Sequence, residues 1–137
     1  YVEDNQLYAS INNPILKISS KNKLRKAVSQ ARKVTRSYLE GRDLLPVGNN
    51  KKIGNANVSN LEAAGLLILS GRHIGFLPRH YAKIWIDNGE MKSILENEYK
   101  YESDFYLVTR KNPRESIILK TFLEDLNTVI NQKKRPY

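Results

Sequence analysis

"NVSNLEAAGLLILSGRHIGFLPRHYAKIWIDNGEMKSIL", residues Asn57 to Leu95, carries two helix starts and two helix stops in close succession. Ser59 is followed three residues later by Glu62, the reciprocal spacing of a capping box, just before the apolar run that ends at Leu69. Gly71, free to take the left-handed conformation, ends that helix. "HIGF" then reads as a short strand, Pro78 suits the first turn of a new helix, and Asn88-Gly89 closes it. Met91 to Leu95 is another short strand. Helices and strands alternating at this pace predict an α/β fold with a largely parallel sheet.

The flanks extend the same pattern. Leu7, Ala9 and Ile11 alternate with Gln6, Tyr8 and Ser10, a half-buried strand that stops at Asn12-Asn13-Pro14. Leu24, Val28 and Ala31 share one face of a short helix. Val34 to Tyr38 is a second strand, "EGRDLLPVGNN" is a loop, and Lys52 to Val58 returns as a strand. After Leu95, Asp104 to Thr109 ("DFYLVT") reads as a stronger strand. Asn112, Pro113 and Glu115 then start a last helix, with Ile118, Phe122, Leu126, Val129 and Ile130 as its apolar stripe.

The chain has 137 residues, enough for an ordinary domain with its own core, and no cysteine. Disulfides and thiolate metal sites are excluded, and a reducing cytoplasm is the expected setting. No window approaches the roughly 20 apolar residues of a membrane span. The sequence opens on Tyr1 and runs almost at once into a strand, as expected of a piece of a longer protein. Lys plus Arg number 23 against 14 Asp plus Glu, a formal charge of +9. Eight of the basic residues and a single acid, Glu40, lie between Lys21 and Arg42. Such a run is a solvated face, a phosphate-binding surface or the wall of a pocket for a small anion.

Catalytic and metal motifs do not assemble. His73 and His80 are the only histidines, and zinc wants three or four ligands with a supporting shell. No Gly-x-Ser-x-Gly elbow is present, Ser70 and His73 are neighbours in sequence only, and "GNNKKIGN" lacks the order of a P-loop. An enzyme, a metal and a cofactor are therefore not expected. Ser59 and Asn60, by contrast, sit where a strand ends and a helix begins, so unpaired backbone N–H groups and the positive end of the helix dipole face whatever lies there. That is an anion site by construction. Arg36, on the second strand, can add a charge-assisted bond to a carboxylate or phosphate. The helix from Asn60 to Ser70 is apolar almost all round, so it is buried on two sides, and Leu61, Leu66 and Leu69 are placed at a dimer contact.

Taken in order, "EDNQLYASINNPIL", "VTRSYL", the stretch from Asn57 to Leu95, and "SDFYLVTRKN" before an amphipathic helix resemble the C-terminal part of a LysR-type transcriptional regulator. The resemblance covers nearly the whole chain and is loosest over Gly41 to Ile53. It implies a Rossmann-like subdomain of a type 2 periplasmic-binding-protein-like fold, with a mixed, mostly parallel sheet flanked by helices. Residues 1–103 would be effector-binding subdomain II. Residues 104–137 would be the crossover strand and C-terminal helix of subdomain I, the rest of which, like the N-terminal winged helix-turn-helix, is absent from this sequence.

The resemblance also implies a small, often anionic, effector held in an inter-subdomain cleft, with Ser59 and Asn60 at the strand-to-helix turn beside it. It brings Asn13 in as well, because Asn13-Pro14 stands where the family often has His-Pro, here without histidine's titration. Phe76 joins this group, although a strand phenylalanine before Leu77-Pro78 also suits a core. The partners implied are the effector and a second copy, as a homodimer or a full-length tetramer, with DNA reached only through the absent domain and no membrane contact. The alternative is a stand-alone solute-binding protein of the same fold.

Overall fold

In the computed structural model, residues 2–37, 54–109 and 116–133 are described. The chain from Val2 to Ser103 forms one compact unit, and the chain from Asp104 onward a second.

The first unit runs β1 (Val2–Ser10), a 3₁₀ turn (Pro14–Lys17), α1 (Lys21–Gln30), β2 (Lys33–Arg36), β3 (Ala56–Val58), α2 (Leu61–Leu69), β4 (Ile74–Pro78), α3 (Arg79–Asp87), β5 (Met91–Ser93) and β6 (Lys100–Asp104). The strands are ordered β3-β2-β4-β1-β5, with β6 also pairing to β1. β2 is parallel to β3 and to β4, whereas β1 is antiparallel to β4 and to β5. Four of these five strands therefore run one way and β1 runs against them, which gives the largely parallel sheet that the pattern predicted and the mixed sheet flanked by helices that the family resemblance implied.

Each face of the sheet has its own core. Leu7, Ala9, Phe76 and Ile94 pack with Val28 of α1 and Ile15 of the 3₁₀ turn. Tyr8, Val34 and Leu77 pack on the other face with Ala64 and Ile68 of α2 and Ala82 of α3. This division follows from strand alternation: Leu7 and Tyr8, or Phe76 and Leu77, point to opposite faces. Two glycines set the spacing. A Cβ at Gly65 would lie 2.9 Å from Cη2 of Trp85, so its absence lets α2 and α3 approach closely. At Gly75 it would lie 2.6 Å from Cγ1 of Val34, where β2 meets β4.

Several boundaries differ from the sequence reading. Asn60, not Ser59, caps α2: its Oδ1 accepts from Ala63 N at 2.8 Å. Serine and asparagine both suit the position, and Glu62 lands one place too early to complete a capping box. α3 closes as predicted, with Gly89 at a φ of +72° and Glu90 N donating to Trp85 O at 2.8 Å. The strand predicted over Asp104 to Thr109 is instead Lys100 to Asp104, and residues 105–109 carry no regular structure. Apolarity alone does not make a strand; β6 finds a ladder on β1, whereas residues 105–109 are not in a strand. β2 and β3 are shorter than predicted, and Tyr38, the loop from Glu40 to Asn50, Lys52 and the Asn112-Pro113 start signal lie outside the described residues.

The second unit contains α4 (Ile117–Lys133). Ser116 begins it, accepting Leu119 N on its hydroxyl at 3.2 Å and Lys120 N on its carbonyl at 3.1 Å. Its apolar stripe is largely uncovered, with Ile118, Phe122 and Val129 exposed and Leu126 and Ile130 half-buried.

A candidate anion site at the carboxyl edge of the sheet

β2, β3 and β4 all end at one edge, at Arg36, Val58 and Pro78, and the antiparallel β1 begins there, with Asn5 opposite Pro78. In open α/β sheets ligands settle outside the carboxyl ends of the strands. Arg36 is the anchor of this edge. It is only 8% exposed, and its Nη2 donates to Tyr101 Oη at 3.0 Å and to Asn5 Oδ1 at 3.4 Å. Tyr101 is itself steadied by Phe76, edge to face at 5.1 Å between ring centroids. A guanidinium fixed this way loses little freedom when a further acceptor arrives.

Beside it, Val58 is the register partner of Arg36, and its carbonyl accepts from both N and Oγ of Ser37 at 2.9 Å. Ser59 and Asn60 follow, both exposed, leading into the N-terminus of α2. The Asn60 carbonyl oxygen of the side chain is occupied by the cap, which leaves the Ser59 hydroxyl and the N–H groups of Leu61 and Glu62 as the outward donors of this turn.

A cavity of about 410 Å³ opens at the same edge, with Asn5, Tyr101, Arg79 and Lys100 in its wall together with Glu96 and Glu102. Burial first of all pushes the Tyr8 phenol up, Arg79 pulling it the other way and Glu96 reinforcing the rise, so Tyr8 stays neutral behind this wall. Arg36 is joined to the wall of the cavity through Asn5 and Tyr101. Sequence reasoning missed Asn5, Tyr101, Arg79 and Lys100. The one sequence signal was Asn5-Gln6, two polar residues inside a strand that buries both.

Asn13 is elsewhere. It follows the far end of β1, and the strand rise from Asn5 to Ser10 alone separates the two edges by about 17 Å. Its side chain is buried and caps the 3₁₀ turn, Oδ1 accepting from Ile15 N at 3.0 Å. The structure thus brings Arg36, Ser59 and Asn60 to one edge, sets Phe76 in the core behind it, and leaves Asn13 at the other edge.

On α2, Leu61 and Leu69 are half-buried and Leu66 is 67% exposed, while Ile84 and Ile86 of the neighbouring α3 are exposed as well. The histidines are apart: Nε2 of His73 lies 3.1 Å from Gly54 O, and His80 lies 3.9 Å from Glu3. Among the described residues no group of three or more His, Cys, Asp or Glu could hold a metal ion.

This architecture is that of the regulatory domains of LysR-type transcriptional regulators, in keeping with the resemblance carried by the sequence. The apo regulatory domain of HypT from Salmonella typhimurium matches 94% of this chain with a TM-score of 0.64 at 17% identity, and 62% of that domain is covered. A variant AphB regulatory domain from Vibrio vulnificus gives a TM-score of 0.63 at 13% identity, over 93% of this chain and 66% of that one. In sequence, the chain is 39% identical over 70 residues to the HTH-type transcriptional activator BauR of Pseudomonas aeruginosa. That match takes in 51% of this chain and 23% of BauR, so the chain spans about a quarter of the curated relative. No family model matches the chain.

Proposed function

We propose that this chain is the ligand-sensing part of a LysR-type bacterial transcription factor, taking a small anionic effector at the carboxyl edge of its sheet. Val2 to Ser103 correspond to effector-binding subdomain II, and the segment from Asp104 through α4 belongs to subdomain I. The observation that carries the reading is Arg36, nearly buried and held by Asn5 and Tyr101, one register position from the turn that opens α2. A carboxylate or phosphate there would gain a charge-assisted bond together with helix N-terminal donors. The domain binds rather than catalyses, requires no cofactor, works in the cytoplasm, and reaches DNA through a winged helix-turn-helix elsewhere in the full protein. Among the described residues no helix is long and apolar enough to cross a membrane. Its relatives in sequence and fold are transcriptional regulators, which favours this reading over a solute-binding protein.

The effector acts by preferring one arrangement of the subdomains and so shifting the oligomer. Pairing of two copies is assigned to α2, through Leu61, Leu66 and Leu69, because Leu66 shows its side chain to solvent on a helix whose other side is already packed. A panel of small carboxylates titrated onto the full-length protein tests the site. The best binder is expected to lose about tenfold or more in affinity in Arg36→Gln and several-fold in Ser59→Ala. Unchanged affinity in both variants would remove the site from this edge.

A further inference from the structure

The amino edge of the same sheet carries a second concavity, of about 610 Å³, with a different construction. Its floor is apolar, built by Ile15 and Ile18 around the 3₁₀ turn and by Ala27 of α1. Two arginines line it, Arg32 and Arg72, and the Nε of Arg32 lies over Gly54, 2.9 Å from where a Cβ there would stand. They belong to adjacent strand starts, since Ile74 N donates to Arg32 O at 3.0 Å and Lys33 is the register partner of Ile74. Neither guanidinium has a hydrogen-bonding or acidic partner among the described residues, and no residue lining the concavity is acidic. Asn13 completes it: its carbonyl oxygen is used by Ile15 N, and its NH₂ donates to nothing among the described residues.

Two unpaired arginines, a spare amide donor and an apolar floor fit one kind of ligand. We propose that this edge binds a small amphipathic carboxylate, its head on Arg32 and Arg72 and its short hydrocarbon tail over Ile15, Ile18 and Ala27. Inorganic phosphate would satisfy the arginines but leave the floor in water, and a neutral alcohol would do the reverse; the volume is in the range of small-molecule sites. The ligand bridges the 3₁₀ turn and α1 to the start of β4. It is therefore a site on subdomain II alone, independent of the carboxyl-edge site proposed above.

Hexanoate is the probe, with inorganic phosphate and hexanol as its two halves, observed by saturation-transfer NMR in titrations of the full-length protein. Hexanoate is expected to bind, and Arg72→Gln and Arg32→Gln each to weaken it about fivefold or more. A loss of hexanoate binding in these two variants reports this edge and not the other, since neither arginine lines the carboxyl-edge cavity. Both arginines are exposed, so the variants are not expected to disturb folding. Three results overturn the proposal: no hexanoate binding that depends on Arg32 or Arg72, phosphate binding as tightly as hexanoate, or hexanol binding as tightly as hexanoate.

Discussion

The two edges of the sheet use the same residue types in inverse fashion. At the carboxyl edge the arginine is buried and bonded while the capping asparagine, Asn60, is exposed; at the amino edge the capping asparagine, Asn13, is buried while Arg32 and Arg72 stand in solvent. Loss of the fixed arginine should cost stability as well as binding, whereas loss of either exposed arginine should leave stability unchanged and, on the readings proposed above, weaken binding alone.

The largest effect is expected where the edges are held in one frame. Arg32 immediately precedes β2 and Arg36 ends it, and the strand meets β4 at Val34 and Gly75. In Gly75→Ala the new Cβ would stand 2.6 Å from Val34 Cγ1, 3.1 Å from Ile68 Cδ1 and 3.2 Å from the Val34 carbonyl oxygen. The carbonyl is backbone and cannot rotate away, so β2 and β4 must shift by a few tenths of an ångström while the Val34 side chain also gives. We expect a loss of about 3 kcal/mol in urea unfolding, with binding weakened at both edges. A loss below about 1 kcal/mol would show that the two strands move independently and that the edges are not mechanically linked.

The two asparagine caps sharpen the comparison at a smaller scale. Asn60→Ala strips Ala63 N of its acceptor at an exposed helix end, where water replaces it, and should cost about 1 kcal/mol. Asn13→Ala leaves Ile15 N without an acceptor inside a buried turn and should cost about 2 kcal/mol. Equal losses in chemical unfolding would mean that water reaches the Asn13 turn freely, and the distinction drawn between the edges would lose its energetic half.

Much of this was legible in the sequence because it rests on local rules. Gly71 and Gly89 each sit at positive φ just past a helix, and Gln6 to Ser10 read as strand, although β1 is buried on both faces rather than half-buried. What the sequence did not show was pairing. β6 reads as polar, "KYESD", and becomes a strand because β1 offers it a ladder, while the more apolar Phe105 to Val108 are not in a strand. The same gap governs the site. Arg36 was visible, but Asn5 and Tyr101, which fix it, lie 31 and 65 residues away in sequence. Asn13 was grouped with Ser59 by family resemblance, and only the direction of β1 shows that they lie at opposite edges.

The smallest effect on stability is expected outside both edges. Leu66 is 67% exposed on α2, so Leu66→Glu removes almost no intrachain packing, and unfolding should shift by no more than about 0.5 kcal/mol. Its effect on association should be much larger. A carboxylate set in an apolar contact between copies must be desolvated without a partner, and sedimentation of the full-length protein should show the dimer weakened about tenfold or more. The neighbouring α3 has exposed apolar side chains of its own, Ile84 and Ile86, and Trp85 packs over Gly65 where the two helices meet. An unchanged dimer in Leu66→Glu would move the contact off α2 and leave its exposed leucine without a role. A weakened dimer with intact effector binding would instead separate the pairing surface from the carboxyl edge.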